Sequence, residues 1–422
     1  MIIDLRNRNA TQLTIHLNRS KSILIRCLIY CYQKEKIMLP VDEKEARDVQ
    51  IVAKSLHVID KATDFSDFVT IDVEDCGAAF RFFLPLLATT EGKWRLTGTQ
   101  RNLSRPIKPL IDSLLEVGAG ISVDEWTSGE GDKQNSSTSP LALSSIRITG
   151  KPLHAEKMRI DCSQSSQFAS ALLLSSKKLG LQKLEISPTP PPSCNYIRMT
   201  EKIIENMDNG EFKYAEIEAD WSAALFWYCY VALNPNISCF LPNLKNNSLQ
   251  GDRIVATWFE QFGVTSQFEE RGVKLVNKLT SKQVDEFIGG KVNLFANFDL
   301  RNNPDTAPLL AVFAVCAGIT LTLTGIQNLN SKESRRTDIL VRELSSFAKM
   351  EYSEKKGFLK IIPHTCPKNR HLKSKSHNDH RIIMAFSLFA LDNTVEFDEV
   401  GSVNKSYPSF LNDLSMTDLL SH

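Results

Sequence analysis

The chain has 422 residues, 42% hydrophobic and 23% charged, which is apolar material enough for two cores of about 200 residues each. Its 50 basic and 49 acidic side chains leave a formal net charge of +1, so charge gives no reason to expect nucleic acid or an anionic membrane as a partner. Nine scattered cysteines include no Cys-x-x-Cys pair and no Cys/His cluster at metal-ligand spacing, which argues against a metal centre and for a reducing compartment.

Met1 to Arg6 carries no signal-like apolar core, and no apolar run approaches the ~20 residues of a membrane span. The expectation is a cytoplasmic protein that needs no metal and no cofactor.

In chain order, six segments repeat one pattern: a short polar cluster, then an apolar stretch long enough for a buried helix. Ser20-Lys21-Ser22 precedes residues 23–32, and Asp75-Cys76-Gly77-Ala78-Ala79 precedes 80–88. Gln164-Ser165-Ser166-Gln167 precedes 168–174, and Asp220-Trp221-Ser222 precedes 223–233. Pro304-Asp305-Thr306 precedes 307–317, and Asn378-Asp379-His380-Arg381 precedes 382–391.

Ser, Asp and Asn cap helix starts by accepting bonds from free N–H groups. Apolar residues all round the following turns predict helices buried on every side. β-branched, alternating stretches such as 183–186 and 319–323 predict strands. More amphipathic helices are expected over 106–117, 251–262 and 334–347. The fold class is α/β, in two similar lobes of three βαβ-like units each.

Several helix starts aimed at one place would gather partial positive charge and directed N–H donors, which suits small, highly charged anions. Lys21, Arg26, Arg81, Arg105, Arg381 and Lys405 lie near those starts, with Lys332 and Arg336 in a separate cluster. Arg105 can grip a carboxylate or phosphate with two parallel bonds, and Ser165, Ser166 and Gln167 offer hydroxyl and amide donors. Asp305 and Glu333 are carboxylates set among cations, suited to passing a proton. Taken singly, each reads as an ordinary cap or a solvated charge run. There is no Gly-x-x-x-x-Gly-Lys, Gly-x-Gly-x-x-Gly or Gly-x-Ser-x-Gly motif.

Together these motifs resemble the 5-enolpyruvylshikimate-3-phosphate synthase family of enolpyruvyl transferases. Ser20-Lys21-Ser22 with Arg26, Gly77 to Arg81, Arg101 to Ile107, Ser165 to Phe168, and Ser193 with Tyr196 match in turn. So do Pro304-Asp305, Lys332-Glu333-Ser334 with Arg336, Asn378 to Arg381, and Lys405 to Pro408. The resemblance implies transfer of the carboxyvinyl group of phosphoenolpyruvate to the 5-hydroxyl of shikimate 3-phosphate, by addition and elimination through a tetrahedral intermediate, within aromatic amino acid synthesis.

It implies that Lys21, Ser22, Arg26, Ser165, Ser166, Gln167, Ser193, Tyr196, Asp305, Asn328 and Lys332 bind shikimate 3-phosphate. Lys21, Gly77, Arg105, Gln167, Arg336, Arg381 and Lys405 would bind phosphoenolpyruvate. Asp305 would act as base and Glu333 as acid-base group, with Lys21 and Lys405 beside the reacting carbons. Residues 1–19 with 219–422 would form one lobe and 20–218 the other, with closure on binding. A monomer whose partners are the two small substrates is expected.

Arg19, Ile25, Asp75-Cys76, Ala78, Phe82 and Arg335 depart from the family pattern and bear on substrate affinity. A transferase acting on a UDP-sugar and a silent anion-binding relative are the competing readings. The first normally carries a loop cysteine in one lobe, and no cysteine lies between Cys76 and Cys162.

Overall fold

A computed structural model describes residues 1–6, 11–125, 143–280, 282–283, 295–364 and 366–417. The six polar-then-apolar segments all form helices, labelled here α1 (Lys21–Glu35), α2 (Gly77–Ala88), α3 (Gln167–Leu174), α4 (Trp221–Ala232), α5 (Ala307–Ala317) and α6 (His380–Phe386). Every residue of α4 and α5 is buried, as expected of helices with no polar face. Among the described residues no helix is long and apolar enough to cross a membrane.

The chain divides into two compact units. Unit one comprises Met1–Lys21, Lys44–Arg47 and Lys213–His422; unit two comprises Ser22–Glu43 and Asp48–Phe212. Lys44–Arg47 is tied into unit one by Asn18 Nδ2 donating to the Lys44 carbonyl at 2.9 Å and by the Arg19–Glu45 ion pair at 2.6 Å.

Unit one holds three sheets. Ile2–Asp4 pairs antiparallel with Thr394–Phe397, which runs parallel to His371–Ser374. Gln12–Thr14 runs parallel to Ser238–Pro242 and so joins the antiparallel pair Gly272–Asn277 and Val264–Glu269. The third sheet orders Phe295–Asp299, Thr320–Thr324, Phe358–Pro363 and Ala348–Ser353. α4, α5 and α6 pack among these sheets in one apolar core, where Phe259, Phe262 and Phe313 cluster with ring centroids 5.1–5.4 Å apart.

Unit two has a four-stranded sheet in the order Val69–Asp72, Gly92–Thr97, Leu143–Gly150, Gly120–Glu125, and a parallel pair, Lys157–Asp161 with Lys183–Ser187. The six buried helices are thus accompanied by five sheets among the described residues. After α1 the chain runs through 36–46 without a strand and enters the helix Arg47–Lys61. Residues 36–46 carry Pro40 and five charged side chains and lack the period-2 alternation of a half-buried strand. The next strand, Val69–Asp72, belongs to the following sheet.

Two local expectations also change. The helix expected over 251–262 is broken into Gly251–Ile254, Val255–Trp258 and Phe259–Phe262, the outer two being 3₁₀ turns. Phe259 and Phe262, three apart, both reach Phe313, and a 3₁₀ turn aligns residues at that spacing. At α2 the capping atom is not an oxygen: Cys76 Sγ accepts from Ala79 N at 3.4 Å.

Asp220 behaves as the sequence suggests and does more. Its Oδ1 accepts from Ser222 N and Ala223 N at 2.8 and 3.1 Å, and its Oδ2 accepts from Lys21 N at 3.4 Å, so one carboxylate caps α4 and the start of α1. Asp220→Ala should cost about 2 kcal/mol, the upper end for a cap. Asp220→Asn, which keeps an acceptor, should cost about half as much. Chemical denaturation of the three proteins measures both.

Candidate active site

In unit one Asp305, Glu333 and Lys332 meet around Arg336, the first residue of the helix Arg336–Leu344. Its side chain is only 1% exposed. Nη1 donates to Asp305 Oδ1 at 2.6 Å and Nη2 to Glu333 Oε2 at 2.9 Å. Nε and Nη2 together grip Asp379, at 2.8 and 3.1 Å, in the two-pronged geometry special to arginine. Lys332 Nζ lies 3.4 Å from Asp305 Oδ1. The two carboxylates singled out as proton carriers therefore share one guanidinium.

Local structure explains the meeting. Asp305 sits in the 3₁₀ turn Pro304–Thr306 leading into α5, where proline's fixed φ suits a helix start. Lys332 to Arg336 lie between the short 3₁₀ turn Leu329–Ser331 and the next helix, so their side chains fan from one bend. Asp379, fully buried, caps α6 through Arg381 N at 2.9 Å and also accepts from Ser334 Oγ at 2.8 Å. A capping residue thereby becomes the anchor of the arginine. The sequence marked Asp379 only as part of a motif, with no role.

Burial disfavours ionised Asp305, but Lys332, Arg336 and Arg381 outweigh it, against Glu333, and hold the carboxyl well below the usual range. Burial likewise opposes charge on Arg336, yet Asp379, Glu333 and Asp305 lock it as guanidinium. Arg381 donates to the Ser222 carbonyl at 3.0 Å and to Ser222 Oγ. Lys405, 3% exposed, ends the turn Gly401–Lys405; Lys21 and Asn328 are half-buried.

Unit two holds the remaining candidates. Arg26, 3% exposed, donates to Thr200 Oγ1 at 2.7 Å, to the Ser22 carbonyl at 2.8 Å, and to Ser170 Oγ and the Tyr196 carbonyl at 3.4 Å each. All four acceptors are neutral. Burial pushes this guanidinium down to about 10, so an anion beside it would restore the lost stabilisation. Thr200 and Ser170, which aim it, left no signal in the sequence.

Arg105 lies over Gly77. A Cβ built on Gly77 would fall 2.0 Å from Arg105 Nη1, so only glycine admits the guanidinium there. The Glu74 carbonyl staples the two segments, accepting from Thr99 N at 2.8 Å and Asn102 Nδ2 at 3.1 Å. Arg81 ties the Gly77 carbonyl, the Pro106 carbonyl and Gln167 Oε1 together at 2.8–3.2 Å. Sequence reasoning placed Arg81 near a helix start but gave it no site role. Ser165 Oγ accepts from Gln167 N at 3.3 Å, Ser166 is buried, and Ser193 takes a left-handed φ of 57° before the helix Cys194–Asp208.

His380 adds a titration signature to unit one. Burial, then Arg381, Lys21 and Arg336, push its pKa well below the usual 6.5, with Glu333 opposing. Its 3.8 Å contact with Asp379 is therefore no ion pair at neutral pH. As pH falls, the unfolded chain takes up this proton before the folded one does. The associated stability is complete above about pH 6.5 and declines below it. His380→Gln should flatten the fall in unfolding free energy between about pH 6.5 and 4.5, as read from paired urea titrations.

Comparison with known proteins identifies the family. Residues 42–414 match the family model described as EPSP synthase (3-phosphoshikimate 1-carboxyvinyltransferase). A 3-phosphoshikimate 1-carboxyvinyltransferase of Bacteroides fragilis is 29% identical over 429 residues, covering 95% of this chain and 94% of that one. An EPSP synthase structure from Acinetobacter baumannii superposes with a TM-score of 0.64 at 16% identity, covering 99% and 98% of the two chains. The enolpyruvyl transferase NikO from Streptomyces tendae gives 0.63 at 13% identity, covering 99% and 96%. At such identities the structural likeness speaks of fold alone, and the two neighbours carry different names on one fold. The family model spans most of the sequence, and the chain belongs to the EPSP synthase (3-phosphoshikimate 1-carboxyvinyltransferase) family.

Proposed function

We propose that the chain transfers the carboxyvinyl group of phosphoenolpyruvate to the 5-hydroxyl of shikimate 3-phosphate and releases inorganic phosphate. The observation that carries the reading is the sharing of Arg336 by Asp305 and Glu333, at 2.6 and 2.9 Å. A reaction that needs a base on oxygen and an acid on carbon finds both beside one cation.

In the addition step Asp305 takes the hydroxyl proton while Glu333 delivers a proton to the methylene carbon. The new C–O bond forms at C2 of phosphoenolpyruvate, and a tetrahedral intermediate results. In the elimination step the C2–O bond to phosphate breaks, Glu333 recovers a proton from the methyl group, and the double bond returns. Phosphate leaves from the cations that held it and takes up the proton that Asp305 accepted, which restores the carboxylate. Lys21 and Lys405 flank the reacting carbons and offset the charge that develops.

Lys21, Asp305, Asn328, Lys332, Glu333, Arg336, Arg381 and Lys405 belong to unit one. Ser22, Arg26, Gly77, Arg105, Ser165, Ser166, Gln167, Ser193 and Tyr196 belong to unit two. Ser22, Arg26, Ser165, Ser166, Gln167, Ser193 and Tyr196 hold shikimate 3-phosphate, with Lys21, Asp305, Asn328 and Lys332 on its hydroxyls. Lys21, Gly77, Arg105, Gln167, Arg336, Arg381 and Lys405 hold phosphoenolpyruvate. Fixing two multiply charged anions in reacting geometry removes most of the entropic barrier.

A carboxylate as strongly stabilised as Asp305 is a weak base. The substrates correct this. The carboxylate and phosphate of phosphoenolpyruvate draw on Arg336 and Arg381, weakening the field that keeps Asp305 ionised. Its basicity rises as the complex forms, when it is needed. The protein acts as a cytoplasmic monomer without metal or cofactor, and its partners are the two substrates.

Purified protein given both substrates should release phosphate at a rate that Lys21→Met abolishes. Release no greater than in that variant, or turnover of a UDP-sugar in place of shikimate 3-phosphate, overturns the reading. Gly77→Ala should displace the Arg105 guanidinium and raise KM for phosphoenolpyruvate by roughly tenfold, about 1.4 kcal/mol. Initial-rate kinetics in each substrate measure it; an equal rise for shikimate 3-phosphate would contradict the assignment.

A further inference from the structure

Three residues assigned above to shikimate 3-phosphate stand in the first turns of three helices. Ser22 lies in α1, Gln167 in α3, and Tyr196 in the helix Cys194–Asp208. One turn further in, each helix carries a buried polar side chain. These are Arg26, Ser170 and Thr200. Ser170 and Thr200 are 0% exposed, so neither can touch a ligand.

The three side chains meet. Arg26 Nε donates to Thr200 Oγ1 at 2.7 Å, and Nη2 reaches Ser170 Oγ at 3.4 Å. Thr200 Oγ1 lies 2.9 Å from Ser170 Oγ and 2.8 Å from the Tyr196 carbonyl. Ser170 Oγ lies 3.4 Å from the same carbonyl. A guanidinium only donates, and a hydroxyl has one proton to give. Both hydroxyls therefore turn lone pairs toward Arg26 and protons away from it. The bond from Thr200 to the carbonyl one turn back also selects its rotamer.

The rest of the guanidinium is held more locally. Nη1 donates to the Ser22 carbonyl of its own helix at 2.8 Å. The Phe82 and Tyr196 rings lie 5.2 and 5.7 Å from Cζ. Thr200 is the shortest of the links that reach Arg26 from another helix.

We propose that Thr200 is a positioning residue for shikimate 3-phosphate: its hydroxyl joins three helices one turn inside their ligand-binding ends and fixes the direction in which Arg26 meets the anion. The inference rests on the function proposed above. Thr200 acts through Arg26 and through the register of the three helix starts.

Two substitutions separate the hydroxyl from the space it fills. Thr200→Val keeps the shape and removes the acceptor, leaving a buried Arg26 donor without it. Thr200→Ser keeps the acceptor and removes a methyl group.

The test compares wild type, Thr200→Val, Thr200→Ser and Ser170→Ala, with folded fractions checked by circular dichroism. Calorimetry measures shikimate 3-phosphate binding to the resting protein, and kinetics are run in both substrates. Thr200→Val should raise Kd and KM for shikimate 3-phosphate about tenfold. KM for phosphoenolpyruvate and kcat should stay within about twofold, because Gln167 is bonded to Arg81 instead. Thr200→Ser should stay within about twofold of wild type throughout. Ser170→Ala, which removes the longer contact, should raise Kd about threefold.

A merely structural defect would follow lost volume, so Thr200→Ser would suffer more than Thr200→Val. Folded Thr200→Val with unchanged binding overturns the proposal. So does an equal loss for both substrates, or a loss in Thr200→Ser that matches Thr200→Val. If Thr200→Val does not fold, Thr200→Ala is read against Thr200→Ser by the same criteria. Wild type that binds shikimate 3-phosphate without turnover overturns the proposed reaction, and the binding data still decide the role of Thr200. Wild type that does not bind it overturns both.

Discussion

A guanidinium that is nearly out of solvent and bonded to three carboxylates sets the terms for everything around it. Removing Arg336 from water is expensive, and only close, directed anions compensate. Asp379 supplies the strongest grip and is itself held by Ser334 and the α6 backbone. With that anchor fixed, Asp305 and Glu333 take the two outer prongs. The two carboxylates proposed as proton carriers are thus placed by electrostatic need. Packing alone would leave side chains of that length free to wander.

The resting site is close to neutral in this region, since Arg336, Lys332 and Arg381 balance Asp305, Glu333 and Asp379. A dianion bound there, as proposed, would find Arg336 and Lys332 already committed to carboxylates and would have to compete for them. In the proposed reaction that competition would be useful, because each cation shared with substrate would return basicity to the carboxylate it leaves. Unit two follows another design. Arg26 is surrounded by hydroxyls and carbonyls, so an anion bound there, as proposed, would compete only with neutral acceptors.

Much of this was legible from residue order. The six buried helices could be read because a polar start followed by an unbroken apolar run has few other stable outcomes. Ala307–Ala317 emerged with the expected bounds, and α4 differs by two residues at its start and one at its end. The convergence of Asp305 with Glu333 was suggested by charge pattern but needed a third partner, Asp379, whose capping role concealed it. Thr200 and Ser170 were invisible: a lone hydroxyl gains meaning only when folding brings a distant guanidinium to it. The break in the helix over 251–262 was hidden for a similar reason. Local preference favours a continuous helix there, and ring packing on Phe313 overrides it.

The sheet contacts of the first few residues set an order of assembly on the ribosome. Ile2–Asp4 pairs with Thr394–Phe397, almost four hundred positions downstream, and Gln12–Thr14 pairs with Ser238–Pro242. These two segments are therefore made long before the strands they pair with. Unit two, whose strands all lie between residues 69 and 187, has its full complement while much of the other unit is still being synthesised. Until those strands are made, residues 2–4 and 12–14 lack their β partners, a period in which chaperone binding would matter most.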